Sequence, residues 1–83
     1  MPYVYIVECA NGTFYTGWAV DVSRRVQMHN AGRGARYTRM HRPVKLVYAE
    51  EMSTRAAAMQ REAEIKKWPR EKKKKLIRKS GIS

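Results

Sequence analysis

Two tyrosine-bearing stretches on either side of a glycine turn constrain this chain more than anything else in it. Tyr3-Val4-Tyr5-Ile6-Val7 and Phe14-Tyr15-Thr16-Gly17-Trp18 flank Ala10-Asn11-Gly12. β-Branched and aromatic residues around an Asn-Gly signal predict a hairpin, with strands over 3–8 and 13–18. Two turns compete. A two-residue Asn11-Gly12 turn of type I′ pairs Ala10 with Thr13 and sends Tyr5 and Tyr15 to opposite faces. A three-residue loop with Gly12 left-handed pairs Cys9 with Thr13, sets Tyr15 opposite Val7 and Tyr5 opposite Gly17, and keeps both tyrosines on one face. The second register is preferred, because it gathers Val4, Ile6, Phe14 and Thr16 on the other face.

The remaining elements must pack directly on that hairpin, since 83 residues make one domain and bury only about 60% of the surface the unfolded chain exposes. Asp21 is suited to cap a helix running to about Asn30, with Val22 and Val26 on its core side and Gly32 ending it. Arg25 and His29, at i,i+4, share an adjoining strip of that helix. The stretch from Gly32 to Arg39 reads as a loop: either a solvated connection or a basic strip that contacts phosphates. It is no nucleotide-binding P-loop, because no Gly-Lys-Ser/Thr follows. Pro43 leads into a third strand over 44–49. Ser53 is expected to cap a helix to about Lys67, with Ala56, Met59 and Ala63 in its buried stripe, Ala58 and Ile65 on the flank, and Glu62 between the two groups. Pro69 suits the first turn of a last helix through Lys79. The outcome is an α+β domain over residues 1–83, ordered β-β-α-β-α-α, with a small three-stranded antiparallel sheet flanked by helices.

Charge speaks to partners rather than to fold. Eighteen Lys and Arg against seven Asp and Glu give a net charge of +11, which attracts polyanions at long range. Nucleic acid is the first candidate, and an acidic partner or anionic membrane surface the weaker one. Residues 66–79 hold nine cations against one acid, Glu71, with Leu76 and Ile77 as a thin apolar stripe and Trp68 placed to pin the helix to the domain. Phosphate contacts from such a helix position a partner without reading its sequence. Cys9 is the single cysteine, which rules out an intrachain disulfide and a thiolate zinc cluster. No apolar stretch approaches the roughly 18 residues of a membrane span or forms a signal peptide, so a cytoplasmic protein is expected.

A site that cleaves phosphodiesters needs a group that activates the nucleophile, a cation over the developing negative charge and usually a carboxylate-held metal. Arg25 is permanently charged and forked to match phosphate oxygens. Glu62 is a hard oxygen ligand suited to Mg²⁺ or Mn²⁺, whose shell water completes. A tyrosine or His29 can accept or relay a proton. Each has a plain reading too. Strand tyrosines are commonly packing residues, a helix arginine is commonly solvated, and Glu62 precedes Lys66 by four residues, the favourable order for a helix ion pair.

Order and spacing change the balance. Tyr3-Val4-Tyr5, Tyr15-Thr16-Gly17 ten residues on, Arg25 ten residues after Tyr15 and Glu62 in a later helix resemble the GIY-YIG nuclease superfamily, over nearly the whole chain and in its small single-domain bacterial branch. The resemblance implies one divalent ion, Mg²⁺ or Mn²⁺, on Glu62, and Arg25 steadying the phosphate. It gives a catalytic set of Tyr5, Tyr15, Arg25, His29 and Glu62, and leaves open whether Tyr5 or Tyr15 is the base. Tyr3 stands where the family has its first glycine, and Thr16 where it has Ile or Val. Trp18 replaces a lysine of the repair branch. An indole supplies no charge but can stack on a base, which makes His29 the candidate substitute in proton handling. Trp18, Arg33, Arg36, Arg39, Lys66 and Lys73 are the expected nucleic-acid contacts, with DNA favoured over RNA. The expected function is metal-dependent endonucleolytic hydrolysis in DNA repair or processing. Its rival is a non-catalytic nucleic-acid-binding module on the same fold, though binding alone needs no isolated carboxylate.

Overall fold

The computed structural model describes residues 1–80. It holds β1 (Tyr3–Glu8), β2 (Phe14–Ala19), α1 (Val22–Asn30), α2 (Arg36–Met40), β3 (Lys45–Glu51), α3 (Arg55–Lys66) and α4 (Arg70–Ser80). This is the expected α+β order with one single-turn helix, α2, interposed. The antiparallel sheet is ordered β2-β1-β3. As the central strand, β1 buries Val4, Tyr5, Ile6 and Val7 to 1% exposure or less, the near-continuous apolar run of a strand covered on both faces. No described helix is long and apolar enough to cross a membrane.

The hairpin closes through the three-residue loop. Cys9 N donates to Thr13 O at 2.8 Å, and Gly12 takes φ +85°, a left-handed value that glycine adopts without steric cost. Asn11 Oδ1 accepts from Thr13 N at 3.2 Å and from Thr13 Oγ1 at 2.7 Å. Val7 therefore faces Tyr15, and Tyr5 faces Gly17. The second strand starts and ends one residue later than expected.

The sheet divides the core. On one face Val4, Ile6, Val47 and Tyr48 meet Ala58 and Ile65 of α3, with Phe14, Trp18, Trp68, Leu76 and Ile77 packed around them. On the other, Tyr5, Val7, Cys9, Ala19 and Val44 meet Tyr15 and the α1 residues Val22 and Val26. β3 outruns the expected 44–49 and carries an irregularity opposite Ile6 and Val7, which lets Val47 and Tyr48 join the same cluster. Asp21 caps α1 by accepting from Arg24 N at 3.0 Å. At its last residue, Asn30 clamps Val44 through two bonds, Oδ1 accepting from Val44 N at 2.6 Å and Nδ2 donating to Val44 O at 3.1 Å.

Two readings from sequence need correction. Helix α3 is capped by Thr54, whose Oγ1 accepts from Ala57 N at 3.0 Å, and not by Ser53. Its buried residues are Ala58 and Ile65, while Ala56, Met59 and Ala63 are exposed. Both stripes have helical spacing; the sheet selects the one ending in Ile65, whose large side chain gains more from burial than Met59 or an alanine would. This rotation also brings Glu62, between Ala58 and Ile65, toward the sheet. The second correction is α2 itself, within a segment read as loop. A five-residue helix carries no periodicity to detect, and this one is anchored by Thr38, which is fully buried, and by the Tyr37 hydroxyl, 2.5 Å from Thr13 Oγ1.

Thr16 Oγ1 is buried on the Val4/Ile6 face with no hydrogen-bond partner among the described residues. Thr16→Val is therefore expected to stabilise the domain by about 1 kcal/mol, raising Tm by about 4–8 °C for a domain of this size. Thermal denaturation followed by circular dichroism checks this, and an unchanged or lower Tm refutes it.

Candidate active site

Tyr5 and Tyr15 lie side by side on the α1 face of the sheet, at its β2 edge. The Tyr5 ring lies against β2 at Gly17, where a Cβ would stand 2.6 Å from the Tyr5 hydroxyl and 2.8 Å from the ring carbon that bears it. The Tyr-x-Gly spacing is thus a packing relation: the glycine clears space for the tyrosine of the neighbouring strand.

Behind the tyrosines sits His29, delivered by the last turn of α1 and 2% exposed. Its Nε2 lies 2.8 Å from the Tyr5 hydroxyl and its Nδ1 lies 2.7 Å from Thr38 Oγ1. The Tyr15 ring meets its edge at a centroid distance of 5.5 Å. Gly34 passes so close to the imidazole that a Cβ there would overlap Nδ1. With both nitrogens bonded and the ring buried, His29 is a partner of Tyr5 rather than a group facing the groove.

Charge reaches this face from two helices. Burial above all, then Tyr15 and Glu62, push the Tyr5 hydroxyl up to about 12 against the opposing charge of Arg25. Burial and then Glu62 likewise push Tyr15 above its ordinary value, again opposed by Arg25. His29 is lowered by burial and by Arg25, which holds it neutral near pH 7. Arg25 from α1 and Glu62 from α3 therefore act on the same two hydroxyls. Glu62 is partly buried, and its loose pair with Lys66 at 3.8 Å does not turn it away. The Lys66 ammonium lies 5.7 Å from the centre of the Tyr15 ring.

The donor set limits what this site can hold. Among the described residues no three His, Cys, Asp or Glu converge on one point, so the all-protein cages that zinc prefers have no place here. One carboxylate beside basic side chains fits Mg²⁺ or Mn²⁺, which keep water and phosphate oxygens in their shell.

A groove of about 490 Å³ that shares Arg25 with this site is lined by Trp18, Asp21, Arg24, Arg25, Met28 and Arg55. Trp18 packs one side against the Val4/Ile6 cluster and gives the other to this groove. Arg33 lines a shallow extension of it with Arg24 and Met28. Arg36 and Arg39 stand exposed on α2 and do not line the groove. Lys73 is half-buried in a separate cleft with Thr13, Phe14 and Arg70, its ammonium made more acidic by burial and by Lys66. Arg70 is tied to the hairpin, donating to Gly12 O at 2.6 Å and lying 4.5 Å from the Phe14 ring centre. Sequence reasoning passed over Arg55, Gly34 and Thr38. Arg55 opens a helix with no motif around it, and the other two sit in the segment read as loop.

The chain is similar to known proteins over most of its length. The GIY-YIG catalytic domain family matches residues 1–75. A UPF0213 protein of Staphylococcus aureus is 53% identical over 76 residues, covering 92% of this chain and 93% of its own. The solution NMR structure of the UPF0213 protein BH0048 from Bacillus halodurans is 44% identical, with a TM-score of 0.59 over 93% of this chain and 83% of that one. That of the protein EF2693 from E. faecalis is 35% identical, with a TM-score of 0.62 over 98% of this chain and 86% of its own. With the tyrosine pair, arginine helix and glutamate helix on one sheet edge, and a match over nine-tenths of its length, this chain belongs to the GIY-YIG catalytic domain family, alongside the small bacterial UPF0213 proteins.

Proposed function

We propose that this chain hydrolyses phosphodiester bonds in nucleic acid, DNA before RNA, with a divalent ion held by Glu62. The observation that carries the reading is that the charges of Arg25 and Glu62, from different helices, both act on the Tyr5 and Tyr15 hydroxyls. A binding surface needs the arginine but not the carboxylate, which repels phosphate.

Arg25 places its guanidinium over the phosphate, where negative charge grows as water attacks phosphorus and the leaving P–O bond breaks. Tyr15 is the hydroxyl open to the incoming water, because Tyr5 is buried and bonded to His29. With its pKa raised, Tyr15 meets that water as a phenol, and its oxygen accepts a hydrogen bond that aims the nucleophile. Glu62 would hold the divalent ion, which would supply Lewis-acid charge at the phosphate. Trp18 stacks on a base at the groove, while Arg24, Arg55 and Lys66 hold neighbouring phosphates.

Incubating the protein with labelled single-stranded, branched and duplex DNA and with RNA, in Mg²⁺ or Mn²⁺ beside EDTA, tests this reading. Products that appear only with metal support it. Salt-sensitive binding without products under every condition sinks it and leaves the binding module, the reading that the Glu62–Lys66 pair favours.

Binding has its own signature. Four phosphates neutralised by Arg24, Arg25, Arg55 and Lys66 give a slope of log affinity against log salt of about −3 to −4. Trp18→Leu is expected to weaken binding about fivefold or more, by loss of base stacking, with the slope unchanged. Fluorescence anisotropy across a salt series checks both, and a slope near zero removes the phosphate contacts.

A further inference from the structure

We infer that Thr38, on the single-turn helix α2, is a positioning residue that fixes the tautomer of His29 and thereby the direction in which Tyr5 hydrogen-bonds. The tautomer assignment stands on hydrogen-bond geometry; its bearing on catalysis rests on the nuclease reading above.

The direction follows from donor arithmetic. A threonine hydroxyl has one proton. Thr38 Oγ1 spends it on Ala35 O, an acceptor only, at 2.8 Å. At His29, 2.7 Å away, Thr38 can then only accept, so Nδ1 must carry a hydrogen. A neutral imidazole has one N–H, which leaves Nε2 as a bare acceptor. Its partner at 2.8 Å is the Tyr5 hydroxyl, so Tyr5 donates. The Tyr5 oxygen, its own proton committed, keeps its lone pairs for the side on which the Arg25 charge acts. One chain of donors therefore runs from Tyr5 through His29 and Thr38 to the Ala35 carbonyl.

Each step is held by packing. Thr38 is fully buried, His29 is 2% exposed and Tyr5 is 1% exposed. Gly34, just ahead of α2, lets the backbone close on the imidazole. Free histidine favours the opposite tautomer, with hydrogen on Nε2. Were His29 in that form, its Nε2–H would donate to the Tyr5 oxygen and release the Tyr5 proton to point elsewhere. Thr38 thus does two things at a distance from the groove. It keeps Tyr5 a donor inward, unavailable as a base, and leaves the lone pairs of the Tyr5 oxygen to the Arg25 charge. The water-facing hydroxyl is left to Tyr15. The helix that looked like loop in sequence is a working part of the site.

Two-bond ¹⁵N–¹H correlation spectra of the histidine rings distinguish the tautomers directly. The wild type is expected to show His29 neutral with hydrogen on Nδ1. Thr38→Ser keeps the hydroxyl and is expected to keep that pattern, whereas Thr38→Val removes the acceptor and is expected to move His29 toward hydrogen on Nε2. Cleavage should fall about 10- to 100-fold in Thr38→Val, the cost of a reoriented Tyr5 hydroxyl in the site, and recover to within about threefold of wild type in Thr38→Ser. Hydrogen on Nε2 in the wild type overturns the inference, whether or not the valine variant folds. So does a Thr38→Val protein that keeps the Nδ1–H form, or one that cleaves as the wild type does. The spectrum reads the tautomer without catalysis. A wild type that shows the Nδ1–H form and cleaves nothing therefore upholds the hydrogen-bond chain and refutes the nuclease reading instead.

Discussion

Glu62→Gln is expected to lower cleavage by about 10²–10³-fold while metal-free binding of nucleic acid becomes tighter. The two halves of that result have different causes. Cleavage fails because an amide is neutral, and a neutral oxygen is a poor anchor for Mg²⁺ or Mn²⁺. Binding improves because Glu62 is the one carboxylate acting on both tyrosine hydroxyls. It also holds Lys66 at 3.8 Å, and its loss frees that ammonium for phosphate. For a partly exposed charge the gain should be about two- to fivefold, a few tenths to about 1 kcal/mol. Glutamine has nearly the shape of glutamate, so α3 and its contacts persist. Cleavage rates in Mg²⁺ and anisotropy titrations in EDTA measure the two quantities on one preparation. A variant that cleaves like wild type excludes Glu62 as the metal anchor. One that binds at least tenfold more weakly shows the carboxylate to be a structural ion-pair partner.

How far the sequence reveals this site depends on the range of the interaction that places each residue. The hairpin register is legible because turn length alone decides which faces Tyr5 and Tyr15 take, and gathering Phe14 with Val4 and Ile6 favours one length. Helix α1 is legible because Asp21 and Gly32 bracket it. In α3 the signals tie: Ser53 and Thr54 can both cap, and two alanine-containing stripes have helical spacing. The choice falls to the sheet, which takes Ala58 and Ile65, and no local pattern records that. His29 is visible as a site candidate, but its burial is not. That burial comes from α2, whose five residues are too few for a period and whose anchor, Thr38, resembles any loop threonine. Trp18 is legible as an aromatic but not as a residue shared between core and groove.

The closeness of α2 to His29 underlies the largest expected effect on stability. At Gly34 a methyl group would overlap Nδ1 of an imidazole that cannot swing aside, because both its nitrogens are bonded and the ring is 2% exposed. Gly34→Ala must push the segment before α2 outward, drawing Thr38 from its buried position and breaking the bond to His29. Overpacking plus the lost hydrogen bond should cost about 3 kcal/mol, lowering Tm by about 10–20 °C. A glycine needed only for backbone freedom would behave differently: replacing it where φ is ordinary tends to stabilise, and Gly34, unlike Gly12 and Gly32, has no positive φ. His29→Ala, which vacates the space, should rescue part of the loss. In a double-mutant cycle the two substitutions are then coupled by about 1–3 kcal/mol, with Gly34→Ala nearly harmless in the His29→Ala background. Urea titrations of the four proteins measure this. Additive effects, or a Gly34→Ala protein within about 0.5 kcal/mol of wild type, show that the contact between this segment and the histidine ring does not hold the site together.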